Sequence, residues 1–164
     1  WGISISRAGN VVSQVVHLRD WLPNAIGGVM WVAMDTTATS VYTPWYAGIL
    51  ETPKAYQIGW ATEYDQDSAW WSFQEVGNLC YRRFNEAALK DVIPTWKEFE
   101  DREFQIAESI EKTALEMYHN EGKEAASHFL TDYSNMRGIQ AIKIAKQLTK
   151  TLKGKYLDNT VLDW

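Results

Sequence analysis

The spacing of apolar residues changes character about a third of the way along the chain. Over residues 11–19 it alternates loosely, with Val12, Gln14, Val16 and Leu18 on one side and Val11, Ser13, Val15, His17 and Arg19 on the other. That period of two predicts a strand. Trp21-Leu22-Pro23-Asn24 ends it, because proline has no N–H to give to a ladder. Gly27-Gly28 then leads into an unbroken apolar run over residues 29–34. Apolar side chains on both sides predict a strand covered on both faces, as in a layered sandwich. A third strand is predicted over residues 40–46, only partly paired because of Pro44 and stopped near Gly48.

From Asp67 onward the period becomes helical. Asp67 or Ser68 is a suitable N-cap, and Ala69, Trp70, Phe73, Val76, Cys80 and Phe84 follow at helical spacing. A second segment starts near Asn85 and is interrupted at Pro94, which fits the first turn of a new helix. From Thr95 a long helix is predicted to about Asn120, with Trp96, Phe99, Glu103, Ile106, Ile110, Ala114 and Met117 along one stripe and Gly122 as its stop. A short helix over 124–133 and a last one over 136–153 complete the set, the last burying Ile139, Ile142, Ala145, Leu148 and Leu152. The expected class is α+β. A few antiparallel strands (1–60, strand-rich) precede a mostly helical half (67–156), in a single region without repeat or linker.

Composition narrows the function classes. A chain of 164 residues fits one domain with a real core, and 46% hydrophobic with 23% charged residues is ordinary for a soluble globular protein. A net charge of −5 argues against nucleic acid as a partner. Lys143, Lys146, Lys150, Lys153 and Lys155 recur every few residues and read as one solvated helix face. No apolar stretch reaches the roughly 20 residues that a membrane span needs, so no membrane partner is expected.

Familiar catalytic and nucleotide-binding motifs are absent. His17, His119 and His128 are too scattered to specify a metal site. The single cysteine, Cys80, permits no internal disulfide, and its mid-helix apolar setting reads as core packing rather than as a nucleophile. Asp65 and Asp67 read as helix capping and loop solvation. Arg19 is more suggestive, since a guanidinium after apolar strand residues needs a carboxylate, either from the protein or from a substrate. Arg7, just before the first strand, is open in the same way. Six of the nine tryptophans lie between Trp21 and Trp71. Such density leaves two other classes open: an aromatic-rich binding module for glycans or peptides, and a structural or oligomerisation domain.

Several of these pieces, in order, carry a family resemblance. They are His17-Leu18-Arg19 with Leu22-Pro23, then Ile26-Gly27-Gly28-Val29-Met30-Trp31-Val32-Ala33, then Ser40-Val41-Tyr42-Thr43-Pro44-Trp45-Tyr46-Ala47-Gly48, and finally Pro53, Asp67-Ser68-Ala69-Trp70-Trp71 and Phe73. Together they resemble the C-terminal part of the dipeptidases of peptidase family C69, the cysteine-type N-terminal-nucleophile hydrolases. The resemblance implies an αββα sandwich, short peptides (chiefly dipeptides) as substrates and no cofactor. It also implies an N-terminal cysteine nucleophile whose own α-amino group serves as base.

The chain departs from that pattern at its first residue, Trp1, and the nearby Ser4 and Ser6 are not terminal. The expectation is therefore a C-terminal portion of a larger dipeptidase, inactive by itself, with a missing N-terminal portion as partner. Arg19 and Arg7 are candidates for supporting roles, since related hydrolases place an arginine near the nucleophile. Apolar surface normally covered by the missing portion would favour a homo-oligomer. The expected location is cytoplasmic, and secretion stays open.

Overall fold

A computed structural model describes residues 9–157 of the chain. Three strands, β1 (Val12–Leu18), β2 (Gly28–Met34) and β3 (Thr43–Tyr46), form one antiparallel sheet in the order β1-β2-β3. A single helical turn, α1 (Asn24–Gly27), joins β1 to β2. The helices α2 (Ala69–Tyr81), α3 (Ile93–Asn120) and α4 (Lys123–Tyr156) make up most of the remainder. The architecture is α+β. Among the described residues, no helix is long and apolar enough to cross a membrane.

The strands follow their apolar runs closely, but burial is distributed differently from the expectation. Every residue of β3 is buried, whereas six of the seven residues of β1 are exposed. Val15 (54%), Val16 (57%) and Leu18 (75%) face solvent although they lie on both sides of the strand. In β2, Val29 and Ala33 are buried while Met30 is 37% exposed. Coverage on both faces is thus reached at β3 and falls away toward β1. Trp45 of β3 stacks edge-on against Tyr56 at 4.8 Å. On the opposite face its neighbour Tyr46 lies 6.1 Å from the Tyr133 ring of α4. Ser40 to Tyr42 do not pair, and Pro44, opposite Trp31, has no N–H to extend the ladder.

Two hydrophobic clusters lie on either side of the sheet's inner end. One joins Phe73, Val76 and Cys80 of α2 to Trp96 and Phe99 of α3 and to Ile142, Ala145, Leu148 and Leu152 of α4. The other joins Ile26, Val29 and Tyr46 to Ala114 of α3 and to Leu130 and Tyr133 of α4. Between α2 and α3 the chain runs as a π-helical segment, Phe84–Val92, with Pro94 in the first turn of α3 where a missing N–H costs nothing.

The predicted break near residue 134 does not occur: α4 is continuous over Lys123–Tyr156. Ser134 and Asn135 resemble a helix start in sequence, but Ser134 is fully buried in the middle of the helix. Tertiary contacts on both sides of this point hold it helical. The Glu103 carboxylate of α3, wholly buried, accepts the Tyr133 hydroxyl at 2.7 Å and is paired with the Arg137 guanidinium. Arg137 in turn lies over the Phe99 ring at 4.7 Å. A buried carboxylate is tolerated only when paired and hydrogen-bonded in this way.

Arg137→Ala would leave Glu103 charged and unpaired in the core, so a loss of about 3–5 kcal/mol is expected, roughly a 10 °C drop in melting temperature. The double change Glu103→Leu with Arg137→Met should recover most of that loss when measured by thermal unfolding.

Candidate functional site

Arg19 sits just past β1, where the chain turns into α1. Its Nη1 donates to Glu111 Oε1 of α3 at 2.5 Å. Its Nε and Nη2 donate to the carbonyls of Gly27 and Ile26 at 3.2 Å each. The side chain is only 8% exposed. Each guanidinium nitrogen therefore has a protein acceptor, and the fork ties the α1 turn to a helix 92 residues further along the chain. Gly27 permits this closeness: a Cβ there would stand 2.4 Å from the Arg19 carbonyl oxygen.

The Tyr46 hydroxyl also donates to Glu111 Oε1, at 3.2 Å. Burial, and then the charge of Glu111, hold that phenol protonated well above its ordinary value. The result is a buried constellation of Arg19, Glu111 and Tyr46. Beside it opens a cavity of about 370 Å³ walled by Leu18, Arg19, Asp20, Asn24, Gly28 and Ala47. Sequence spacing gives no hint of Glu111 or Tyr46, because the three residues meet only through the packing of α3 on the sheet. Arg7 lies outside the described residues.

The remaining candidates are dispersed. Cys80 is buried inside the α2 cluster, where desolvation, with the charges of Asp91 and Asp35, pushes its thiol up to about 12. A thiol in that state is a poor nucleophile. Asp65 accepts the Asp67 backbone N–H at 2.8 Å, and Asp67 lies 4.0 Å from Lys146, which places both in local loop and surface roles. Ser68 occupies the cap position of α2, yet its hydroxyl is spent on the Ile58 carbonyl. The Trp71 indole N–H is shared between the carbonyls of Trp60 (3.1 Å) and Glu63 (2.8 Å). Trp71 thereby pins the loop ahead of α2, with the Trp70 ring packed edge-on against it at 4.6 Å. No group of three His, Cys, Asp or Glu side chains suited to a metal occurs among the described residues.

The family model of peptidase family C69 matches residues 2–98, well over half of the chain. The chain belongs to peptidase family C69. The matched stretch takes in the whole sheet, the α1 turn and Arg19, while Glu111 lies in the helical part beyond it. Among relatives of this C69 chain is the "Probable dipeptidase B" of Streptococcus pyogenes serotype M1, 22% identical over 157 residues. That alignment covers 92% of this chain and 31% of the relative, so the chain spans about a third of the length of the curated relative it matches.

Because Arg19 serves three acceptors at once, Arg19→Ala is expected to destabilise the fold by about 3 kcal/mol, leaving Glu111 without its cation. Arg19→Lys keeps the charge but loses the fork, and should cost about half as much. Urea unfolding of the three proteins checks both values.

Proposed function

We propose that this chain is the C-terminal region of a cysteine-type dipeptidase with the αββα architecture of N-terminal-nucleophile hydrolases, acting on short peptides. The observation that carries this reading is the family match over residues 2–98, extended by the dipeptidase relative across 92% of the chain. Cys80 is the sole cysteine of the sequence, and it is buried with its thiol protonated. Cysteine-type chemistry then requires a nucleophile contributed by sequence outside this chain, and the chain alone is inactive. Arg19 acts here as a positioning residue, holding the α1 turn and the start of β2 in place for the rest of the enzyme. Arg7 is a second candidate for a supporting role.

The exposed face of β1 fits this reading. Val12, Val16 and Leu18 alternate with Val15 along an edge strand that carries no partner on its outer side among the described residues. The outward-facing backbone groups of this seven-residue edge strand, with their apolar flanks, form a template for another strand. We assign this edge to the missing N-terminal portion of the dipeptidase, with self-association as its substitute in the isolated chain.

One observation favours an aromatic binding module as a second reading. Trp60 (78% exposed) and Tyr64 (57% exposed) border a cavity of about 500 Å³ together with Glu63, Asp65 and Asp67. Quenching of tryptophan fluorescence by oligosaccharides, abolished in Trp60→Ala, would support this alternative.

Two outcomes are expected from the dipeptidase reading. Neither the purified chain nor its Cys80→Ala variant hydrolyses a panel of dipeptides; hydrolysis by the purified chain would overturn the claim that the nucleophile lies outside it, and loss of that hydrolysis in Cys80→Ala would assign the role to Cys80. In light scattering the chain self-associates, and Val16→Lys, at an exposed position, shifts it toward the monomer without lowering its melting temperature.

A further inference from the structure

The connection between β2 and β3, residues 35–42, is buried although most of it is polar. Asp35, Thr36, Thr39 and Ser40 are 4%, 9%, 3% and 8% exposed. Asp35 has a φ of 67°, the one positive value at a non-glycine position among the described residues. Such a conformation is held only when the surroundings enforce it. Its carboxylate accepts the Thr36 backbone N–H and faces α2 at Gly77, where a Cβ would stand 2.1 Å from Asp35 Oδ2 and 3.4 Å from Thr39 Oγ1. The glycine leaves a notch in the helix into which the acid fits. The hydroxyls of Thr39 and Ser40, both buried, have no hydrogen-bond partner.

Among the described residues, the groups around this connection supply no cation to Asp35. From α2 come Gly77 and the Cys80 thiol, and from the π-helical segment comes Asp91, whose charge acts on Cys80 in the same sense as that of Asp35. From α3, the Trp96 indole donates to the Thr39 carbonyl at 2.9 Å, and Glu100 accepts the Tyr42 N–H at 2.8 Å. Lys97 and Asp101 act on Glu100 with opposite signs, and neither acts on Asp35. One end of the connection thus packs its acid against α2 at Gly77, and the other gives the Tyr42 N–H to an acid of α3.

We propose that residues 35–42 form an acid-set latch, in which Asp35 seats against Gly77 as the neutral carboxylic acid and its ionisation loosens the β2–β3 connection from α2 and α3. Burial moves the Asp35 carboxyl from its ordinary 3.8 to about 6, against the weaker opposing effect of the Thr36 N–H. Glu100 is displaced in the same direction, chiefly by burial. The folded state therefore holds the Asp35 proton more tightly than the unfolded chain does. The resulting stability is fully present below the unfolded value and is lost as pH rises through the folded one. A rise from 3.8 to about 6 corresponds to roughly a hundredfold change in the folding equilibrium. Because the connection is a local unit, part of that change is expected as local opening.

Asp35→Asn tests the latch, since asparagine has nearly the same shape, tolerates a positive φ and does not ionise. Between about pH 4.5 and pH 7.5 the melting temperature of the wild-type chain should fall by on the order of 5 °C relative to the variant, which should be the more stable protein at the upper pH. Amide exchange over residues 36–42, corrected for its intrinsic pH dependence, should speed up with pH in the wild type and much less in Asp35→Asn. Adding Glu100→Gln should remove the remaining slope. Parallel pH profiles for wild type and Asp35→Asn would overturn the proposal. Should Asp35→Asn fail to fold, pH-independent protection of residues 36–42 in the wild type would overturn it equally.

Discussion

The pairing of Glu103 with Arg137 and Tyr133 is the constraint on which the helical half depends. Glu103 is wholly buried, so α3 and α4 must present a cation and a hydroxyl to it in one relative position. Apolar contacts tolerate a slide by a residue or a turn at modest cost, whereas a buried charge does not. Once that register is set, Phe99 and Trp96 face Ile142 and Leu148 in one cluster, and Ala114 faces Leu130 in the other.

The sheet depends on the same register. Tyr46 of β3 is held between Tyr133 on α4 and Glu111 on α3, and Glu111 in turn engages Arg19 at the end of β1. A chain of contacts thus runs from the helix pair through β3 to the α1 turn. It stops there. Beyond Arg19, β1 is held chiefly by its ladder with β2 and by the hydrogen bond between the Ser13 and Tyr42 hydroxyls at 2.8 Å, and burial decreases across the sheet from β3 to β1.

Much of this was legible in the sequence where local pattern and tertiary demand agree. The apolar run before Met34 and the proline in the first turn of α3 were both read correctly as to element. The stripe that includes Glu103 marked that carboxylate as inward-facing before any partner for it was known. Other features were not legible. Ser134 and Asn135 carry the local signature of a helix start, and only packing on both sides overrides it. Asp35 reads as an ordinary residue at a strand end; its positive φ and the room that Gly77, distant in sequence, leaves for its carboxyl group appear only in the fold. Arg19 announced a need for a carboxylate without indicating which of 21 acidic residues would meet it.

The length of α4 has a consequence for how the molecule comes apart. Its 34 residues span about 50 Å, with one half of the helix in each hydrophobic cluster. Neither cluster can melt without fraying a helix that the other still holds, so the two behave as one cooperative unit despite being separate in space. A rigid strut of this kind couples the sheet end to the far helical end mechanically, and it reaches the segment ahead of α2 as well, where the Tyr56 hydroxyl donates to the Gly138 carbonyl at 3.2 Å.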